Sequence, residues 1–109
     1  MVESATTLDM IFRSFADSTR RDILKRLCKA DLTITEIARP YGVSFAAIAK
    51  HVAVLEKGRL VSKRRRGKEQ VISANPGTMT LAAAHLHGYE RAWKQRYDKL
   101  QSLLNSKGD

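Results

Sequence analysis

The spacing of apolar residues changes twice along the 109-residue chain. Apolar side chains recur every three or four positions up to Lys57, alternate with polar ones from Leu60 to Ala74, and return to helical spacing beyond Thr78. A period near 3.6 indicates a helix that buries one face, and a period of two indicates a strand. The pattern therefore predicts a mainly α-helical chain with one small β-hairpin.

Two helices are predicted before residue 30. The apolar positions of the first are Leu8, Ile11, Phe12 and Phe15. The second begins after Asp17 or Ser18, either of which is a suitable N-cap, and extends to Lys29. Cys28, the only cysteine, makes no internal disulfide and is predicted to be a small buried residue of this helix.

The segment from about residue 34 to 57 predicts two helices joined by a tight turn. Thr35 is the expected cap of the first helix, and Pro40 ends it early. Gly42 allows the backbone of the turn, and Ser44 caps the second helix. Spacings of four and three between Ile48, Val52 and Leu55 indicate the buried face of that helix. A helix–turn–helix has these requirements.

The alternating segment predicts a strongly basic hairpin. Strands are expected at residues 60–65 and 69–74, around a turn formed by Arg66, Gly67 and Lys68. Seven of the chain's 20 Lys and Arg residues fall between Lys57 and Lys68, where there is no acid. Positive charge concentrated in this way favours an anionic polymer or an anionic surface as partner, without saying which.

The last predicted helix extends from about Thr78 to Ser106, after a loop at residues 75–77. Its apolar stripe consists of Leu86, Tyr89, Trp93, Tyr97, Leu100 and Leu104. A small body cannot cover so long a stripe, so we expect a homodimer through the N- and C-terminal helices. The expected interface residues are Leu8, Ile11, Phe12, Leu86, Tyr89, Trp93, Tyr97 and Leu100. The alternative is that Trp93 and Tyr97 fold back on their own core.

Three stretches, FADSTRRDIL (15–24), LTITEIARPYGVSFAAIAKHVAVLEKGRLV (32–61) and RRRGKEQVISANP (64–76), together resemble the ArsR/SmtB-type repressors. The resemblance covers about residues 8–105 and departs from the family at Ser18 and Pro40. It implies a single winged helix-turn-helix domain over residues 1–109. The helix-turn-helix would occupy about 34–57, the wing about 60–75 and the dimerisation helix about 78–106. It also implies a homodimeric repressor of a palindromic operator in double-stranded DNA.

The resemblance implies that the helix after Ser44 reads bases in the major groove while the wing contacts phosphates. The implied DNA-binding residues are Ser44, Phe45, Ala46, Ala47, Ala49, Lys50, His51, Arg64, Arg65, Arg66 and Lys68. Alternatives stay open for two of them. Phe45 could pack inward, and His51 could be a half-buried packing residue.

Two metal sites known in the family have partial counterparts. Thr33 and Thr35 stand where some relatives have a C-V-C motif, and hydroxyls are poor ligands for soft metals. On the last helix, His85, His87 and Asp98 match a second site, with Gln101 in place of its last ligand. We predict no resident metal or cofactor and retain these three as low-ranking metal ligands.

Other classes of function lack support in the sequence. No phosphate-binding loop or nucleophile motif is present, and no apolar run approaches the ~20 residues of a membrane helix, so we expect a cytoplasmic protein that is not an enzyme. The alternatives to an ordinary repressor are a metal-responsive repressor and a non-specific architectural DNA-binding protein. An unidentified small-molecule or metal effector fits either kind of repressor.

Overall fold

The computed structural model describes the backbone of residues 5–107 and the side chains of residues 6–106, so the predicted domain bounds at 1 and 109 lie outside it. The helices are α1 (Ala5–Phe15), α2 (Ser18–Leu27), α3 (Ile34–Ala38), α4 (Phe45–Lys57) and α5 (Pro76–Lys107), with a 3₁₀ turn at Arg39–Tyr41. The strands are β1 (Leu32–Thr33), β2 (Val61–Arg66) and β3 (Glu69–Ala74). The prediction of a mainly helical chain with a small β-wing is confirmed. The chain groups into two compact units, one ending at Met79 and one beginning at Thr80.

The core of the first unit lies between α2, α3, α4 and one face of the sheet. The predicted buried face of α4 is confirmed, because Ile48, Val52 and Leu55 have no exposed surface. The other core side chains are Ile23, Leu24, Leu27, Ile34, Ile37, Ala38, Leu60, Val61 and Ile72. Their burial fixes α4 in place and leaves its opposite face on the surface.

Hydrogen-bonding side chains fix where the helices begin. Asp17 caps α2 by accepting from the backbone N of Arg20 at 3.0 Å, and Ser44 caps α4 through Ala47 N at 3.1 Å. The expected cap of α3 was wrong: Thr33, not Thr35, accepts from Glu36 N at 3.1 Å, while the Glu36 carboxylate accepts from Thr33 N at 2.9 Å. This reciprocal pair satisfies two helix-end N–H groups, so α3 begins earlier than expected.

The turn between α3 and α4 has the predicted form. Pro40 lies in the 3₁₀ turn that follows α3, and Gly42 has a φ of 65°, in the left-handed region that favours glycine. This short connection leads directly into α4, whose first residue, Phe45, is exposed.

The three strands form an antiparallel sheet in the order β1-β3-β2. Arg66 pairs with Glu69, so Arg66 ends β2 and only Gly67 and Lys68 form the turn; the expected three-residue turn was one residue too long. Gly67 has a φ of 63°, as tight hairpin turns require. β2 and β3 form the predicted wing, and β1 adds a third strand by pairing Leu32 with Ile72.

Three further expectations are corrected. Cys28 is exposed, because α2 ends at Leu27 and leaves the cysteine as the C-cap. Pro76 belongs to α5 and not to a loop, which agrees with the preference for proline in the first turn of a helix. Ile11 is fully buried within one chain, so its side chain has no surface left for a second copy.

Gly58 stands where α1 and α4 meet. A Cβ at this position would lie 2.7 Å from Ser14 Oγ and 3.0 Å from Met10 O. The φ of Gly58 is −78°, which any residue can adopt, so glycine is needed here because α1 approaches its Cα closely. The positive φ at the end of α4, 59°, belongs to the next residue, Arg59. Gly58 is therefore a packing glycine rather than the left-handed residue that commonly ends a helix.

The replacement Gly58→Ala should lower the free energy of unfolding by about 1–3 kcal/mol, because the new methyl group overpacks the α1–α4 contact. Urea denaturation followed by circular dichroism measures it. The double variant Ser14→Ala, Gly58→Ala should lose less than the sum of the single changes, because removal of Ser14 Oγ removes the closer clash. Additive losses would show that the contact is not the cause.

Candidate nucleic-acid interface

The surface face of α4 carries small residues and one cation. At 100° per residue, Ala46 and Lys50 lie opposite Ile48 and Val52, and both are exposed. Ala47, beside them, is half-buried. Small side chains let the helix axis approach another molecule closely, while Lys50 extends from the same face. Such a face fits the wide major groove of DNA.

A groove of about 400 Å³ separates the start of α4 from the wing. Phe45 lies on its wall with 57% of its surface exposed, which excludes the inward-packing alternative. The rest of the lining is Thr33, Ile34, Thr35, Ala49, Lys63, Lys68, Glu69 and Gln70. Ala49 is half-buried and packs against the core, so it lies at the bottom of the groove and offers little surface to another molecule. The groove brings the start of α4 and the cations of the wing to one part of the surface.

Residues of the wing alternate between two faces. Lys63 pairs with Ile72 and Arg65 with Gln70, on the face where Ile72 joins the core. Lys63 Nζ also lies 3.2 Å from the Glu56 carboxylate of α4, which ties the wing to that helix. Arg64 and Arg66 lie on the other face. The predicted cations therefore do not form one contact surface.

The cations of the wing also differ in how strongly they are already engaged. Arg64 lies 3.3 Å from the Asp31 carboxylate and donates to Ser73 Oγ at 3.1 Å, so part of its charge is compensated. Arg65 Nε donates to the carbonyl of Gly67 at 3.2 Å. Within the described residues, Arg66 and Lys68 are exposed and form no salt bridge. Lys68, Arg66 and the outer nitrogens of Arg65 are the best placed for phosphates.

His51 is half-buried at the edge of α4 that faces α2. Its Nδ1 lies 3.4 Å from an Arg20 guanidinium nitrogen and 3.8 Å from the Asp17 carboxylate, and 28% of its side chain is exposed. The pKa of Asp17 is lowered, chiefly by the hydrogen bond from the backbone of Arg20 and less by the charges nearby. His51 is therefore half-buried, as one of the two alternatives predicted. It contacts other residues of the protein and still keeps part of its ring on the surface.

Three arginines of α2 have structural roles that the sequence pattern did not reveal. Arg20 donates to the carbonyls of Arg13 and Ser14, and Arg21 donates to the carbonyl of Phe15, all at the end of α1. Arg26 donates to the carbonyls of Ile37 and Glu36 at the end of α3, at 2.8 and 3.0 Å. Cations at helix C-termini satisfy free carbonyls and complement the helix dipole. The sequence signal that could have revealed these roles is the recurrence of arginine along α2, close to the predicted end of α1.

The second unit exposes an apolar row along α5. Trp93 has 69% of its surface exposed. The other exposed apolar residues of the row are Leu86, Tyr89, Tyr97, Leu100, Leu103 and Leu104; the predicted stripe lacked Leu103. On the N-terminal helix, Leu8 and Phe12 are half-buried. So much contiguous apolar surface marks an interaction site.

The predicted metal residues do not converge within one chain. Thr33 is engaged in capping α3, and His87 Nδ1 lies 3.2 Å from the Glu90 carboxylate on the same helix turn. Across the side chains that the structure describes, no three His, Cys, Asp or Glu residues come close enough to hold one ion. Within residues 5–107, no helix combines the length and the apolar content that a membrane-spanning segment needs.

The fold and the surfaces of α4 and the wing define a winged helix-turn-helix regulator. Residues 17–63 match the model of the bacterial regulatory protein, arsR family. The chain is 35% identical to the HTH-type transcriptional regulator Rv2034 of Mycobacterium tuberculosis, over 93% of this chain and 92% of that protein. The chain belongs to the ArsR family of transcriptional regulators.

Two other comparisons agree with this assignment. The transcriptional repressor SdpR of Bacillus subtilis is 31% identical over 62% of this chain and 76% of its own length. An ArsR-like transcriptional regulator from Rhodococcus sp. RHA1 has a TM-score of 0.78 and 28% identity, over 90% of this chain and 92% of that one. The resemblance inferred from the sequence motifs is thereby confirmed.

Proposed function

We propose that the protein is a homodimeric repressor that binds a palindromic operator in the cytoplasm, with residues 1–109 acting as one DNA-binding domain. The observation that carries this proposal is the position of two surfaces on either side of one groove. Phe45 and Ala49 of α4 line one side, and Lys63 and the exposed Lys68 of the wing line the other.

The two surfaces would have different tasks. The N-terminal half of α4 enters the major groove, where Ala46 and Ala47 permit close approach and Lys50 reaches base edges. Ser44 and the start of α4 lie beside the phosphate backbone, since helix N-termini attract anions. Arg66 and Lys68 neutralise phosphates and thereby add affinity that does not depend on sequence.

A second copy is the occupant that best fits the apolar row of α5. A dimer with two-fold symmetry presents two α4 helices to half-sites about one DNA turn apart, which is the reason for a palindromic operator. Repression rather than activation is supported by the relative from Bacillus subtilis, which is named a transcriptional repressor.

Fluorescence anisotropy tests sequence-specific binding directly. The protein is titrated against labelled DNA from upstream of its own gene and against a scrambled duplex, at 50 and 200 mM salt. We expect a preference for the upstream DNA that persists at the higher salt. Equal affinity for both duplexes, collapsing together as salt rises, would instead identify an architectural DNA-binding protein.

The replacement Lys50→Ala should change which base is preferred at one operator position, by about 1–3 kcal/mol. Competition with operators that differ at single base pairs measures this preference. Lys57→Ala is the matched control, because it removes the same charge from the last turn of the same helix. If Lys50→Ala weakens every operator variant by the same factor, Lys50 contacts a phosphate and not a base.

A further inference from the structure

His51 lies on α4, but its polar partners Arg20 and Asp17 belong to α2 and its N-cap. One nitrogen of its ring, Nδ1, is 3.4 Å from Arg20 Nη1. An arginine guanidinium is always protonated and has donors only. The contact therefore forms a hydrogen bond only if Nδ1 carries a lone pair, which puts the proton of a neutral imidazole on Nε2.

Arg20 cannot easily turn away from this contact, because the same guanidinium is held elsewhere. Its Nε donates to the carbonyl of Ser14 at 3.1 Å, and its Nη2 donates to the carbonyl of Arg13 at 2.8 Å. Its backbone N donates to the Asp17 carboxylate. The one remaining terminal nitrogen is thus anchored towards His51 by the end of α1.

Asp17 exerts the opposite influence on the ring. Its carboxylate lies 3.8 Å from the same Nδ1, too far for a hydrogen bond, and would attract a proton there. The tautomer of His51 therefore depends on whether the cation of Arg20 or the anion of Asp17 controls Nδ1. The shorter contact favours Arg20.

We propose that Arg20 is a positioning residue that fixes His51 as the Nε2–H tautomer, so that α4 presents a hydrogen-bond donor to an acceptor on a purine edge. Purines offer the acceptor N7 in the major groove and guanine adds O6, whereas thymine O4 is the one acceptor on a pyrimidine edge there. This inference rests on the proposed DNA-binding function and adds to it the chemistry by which one residue reads a base.

The tautomer is measured without DNA. Long-range ¹H–¹⁵N NMR correlations of the imidazole rings are recorded at pH 8, and the spectrum of His51→Gln identifies the His51 signals among the three histidines. We expect Nε2–H alone in the wild-type protein. An Nδ1–H tautomer of His51 in the wild-type protein would overturn the proposal, whether or not any variant folds.

The chain offers a matched pair of variants. Arg20→Met and Arg21→Met each remove an arginine that donates to the end of α1, but only Arg20 contacts His51. We expect the Nδ1–H form to increase in Arg20→Met, because Asp17 then acts alone, and to stay absent in Arg21→Met. The same tautomer population in both variants would refute a positioning role for Arg20.

Selection of binding sites from random-sequence DNA tests the consequence. Arg20→Met and His51→Ala should lose a purine preference at the same operator position, by about tenfold, while Arg21→Met keeps the wild-type site. If the wild-type protein enriches no site, the proposed function fails. If it enriches a site that Arg20→Met also enriches unchanged, the function stands and the role of Arg20 is wrong.

Discussion

The replacement Trp93→Glu should separate the homodimer into monomers and thereby weaken operator binding. Trp93 is the most exposed apolar residue of the α5 row, and a second copy that covers the row would take the new carboxylate out of water. Pairing with Arg96, which now lies over the Trp93 ring, would offset only part of that cost. Desolvation of an ion costs several kcal/mol, so the dissociation constant of the dimer should rise by about a hundredfold or more. Multi-angle light scattering measures the mass, and anisotropy measures the loss of operator affinity.

Gln95→Glu is the matched control for this change. It adds the same charge two positions along the same helix, about 200° around the helix axis from Trp93 and therefore on the opposite face. Its mass should be that of the wild-type protein. A Trp93→Glu protein that keeps the wild-type mass would show that the apolar row of α5 does not hold the dimer together.

Neutralising the tip of the wing should produce the second large effect. A triple Gln variant of Arg65, Arg66 and Lys68 removes six charges from a dimer, so the slope of log affinity against log salt should become shallower by about five. At low salt, affinity for every DNA sequence should fall by about a thousandfold or more. Titrations with operator and scrambled duplexes at four salt concentrations test both expectations.

Arg64→Gln provides the comparison within the same strand. The Asp31 carboxylate and Ser73 already engage the Arg64 side chain, so its loss should leave the salt slope nearly unchanged. A drop in slope of about two per dimer for Arg64→Gln would place Arg64 among the phosphate contacts after all, and would mean that DNA displaces Asp31.

The sequence predicted well those features that depend on residues close together in the chain. The buried face of α4 follows from the spacing of Ile48, Val52 and Leu55, and its start follows from the local hydrogen bond of Ser44. Gly42 likewise occupies a backbone conformation that few other residues adopt. Short-range rules were sufficient because each of these features involves a span of a few residues.

Contacts between distant residues could not be predicted in the same way. Ile11 fits the pattern of an exposed stripe as well as that of a core, and only the packing of the folded chain buries it. Arg64 belongs to a run of similar cations, yet it alone meets Asp31, 33 positions away. The contact of Arg20 with His51 spans 31 positions. Such pairings depend on the angle between helices and on the register of strands, and apolar periodicity carries little information about either.

The register of the wing limits how its length can evolve. Because neighbouring residues of β2 point to opposite faces, one residue inserted before Lys63 would exchange the faces of the cations beyond it. Lys63 would then lie where Arg64 now meets Asp31, and Arg64 would point towards the groove beside α4. Wings of related proteins should therefore lengthen by insertions, or shorten by deletions, of two residues at a time in each strand.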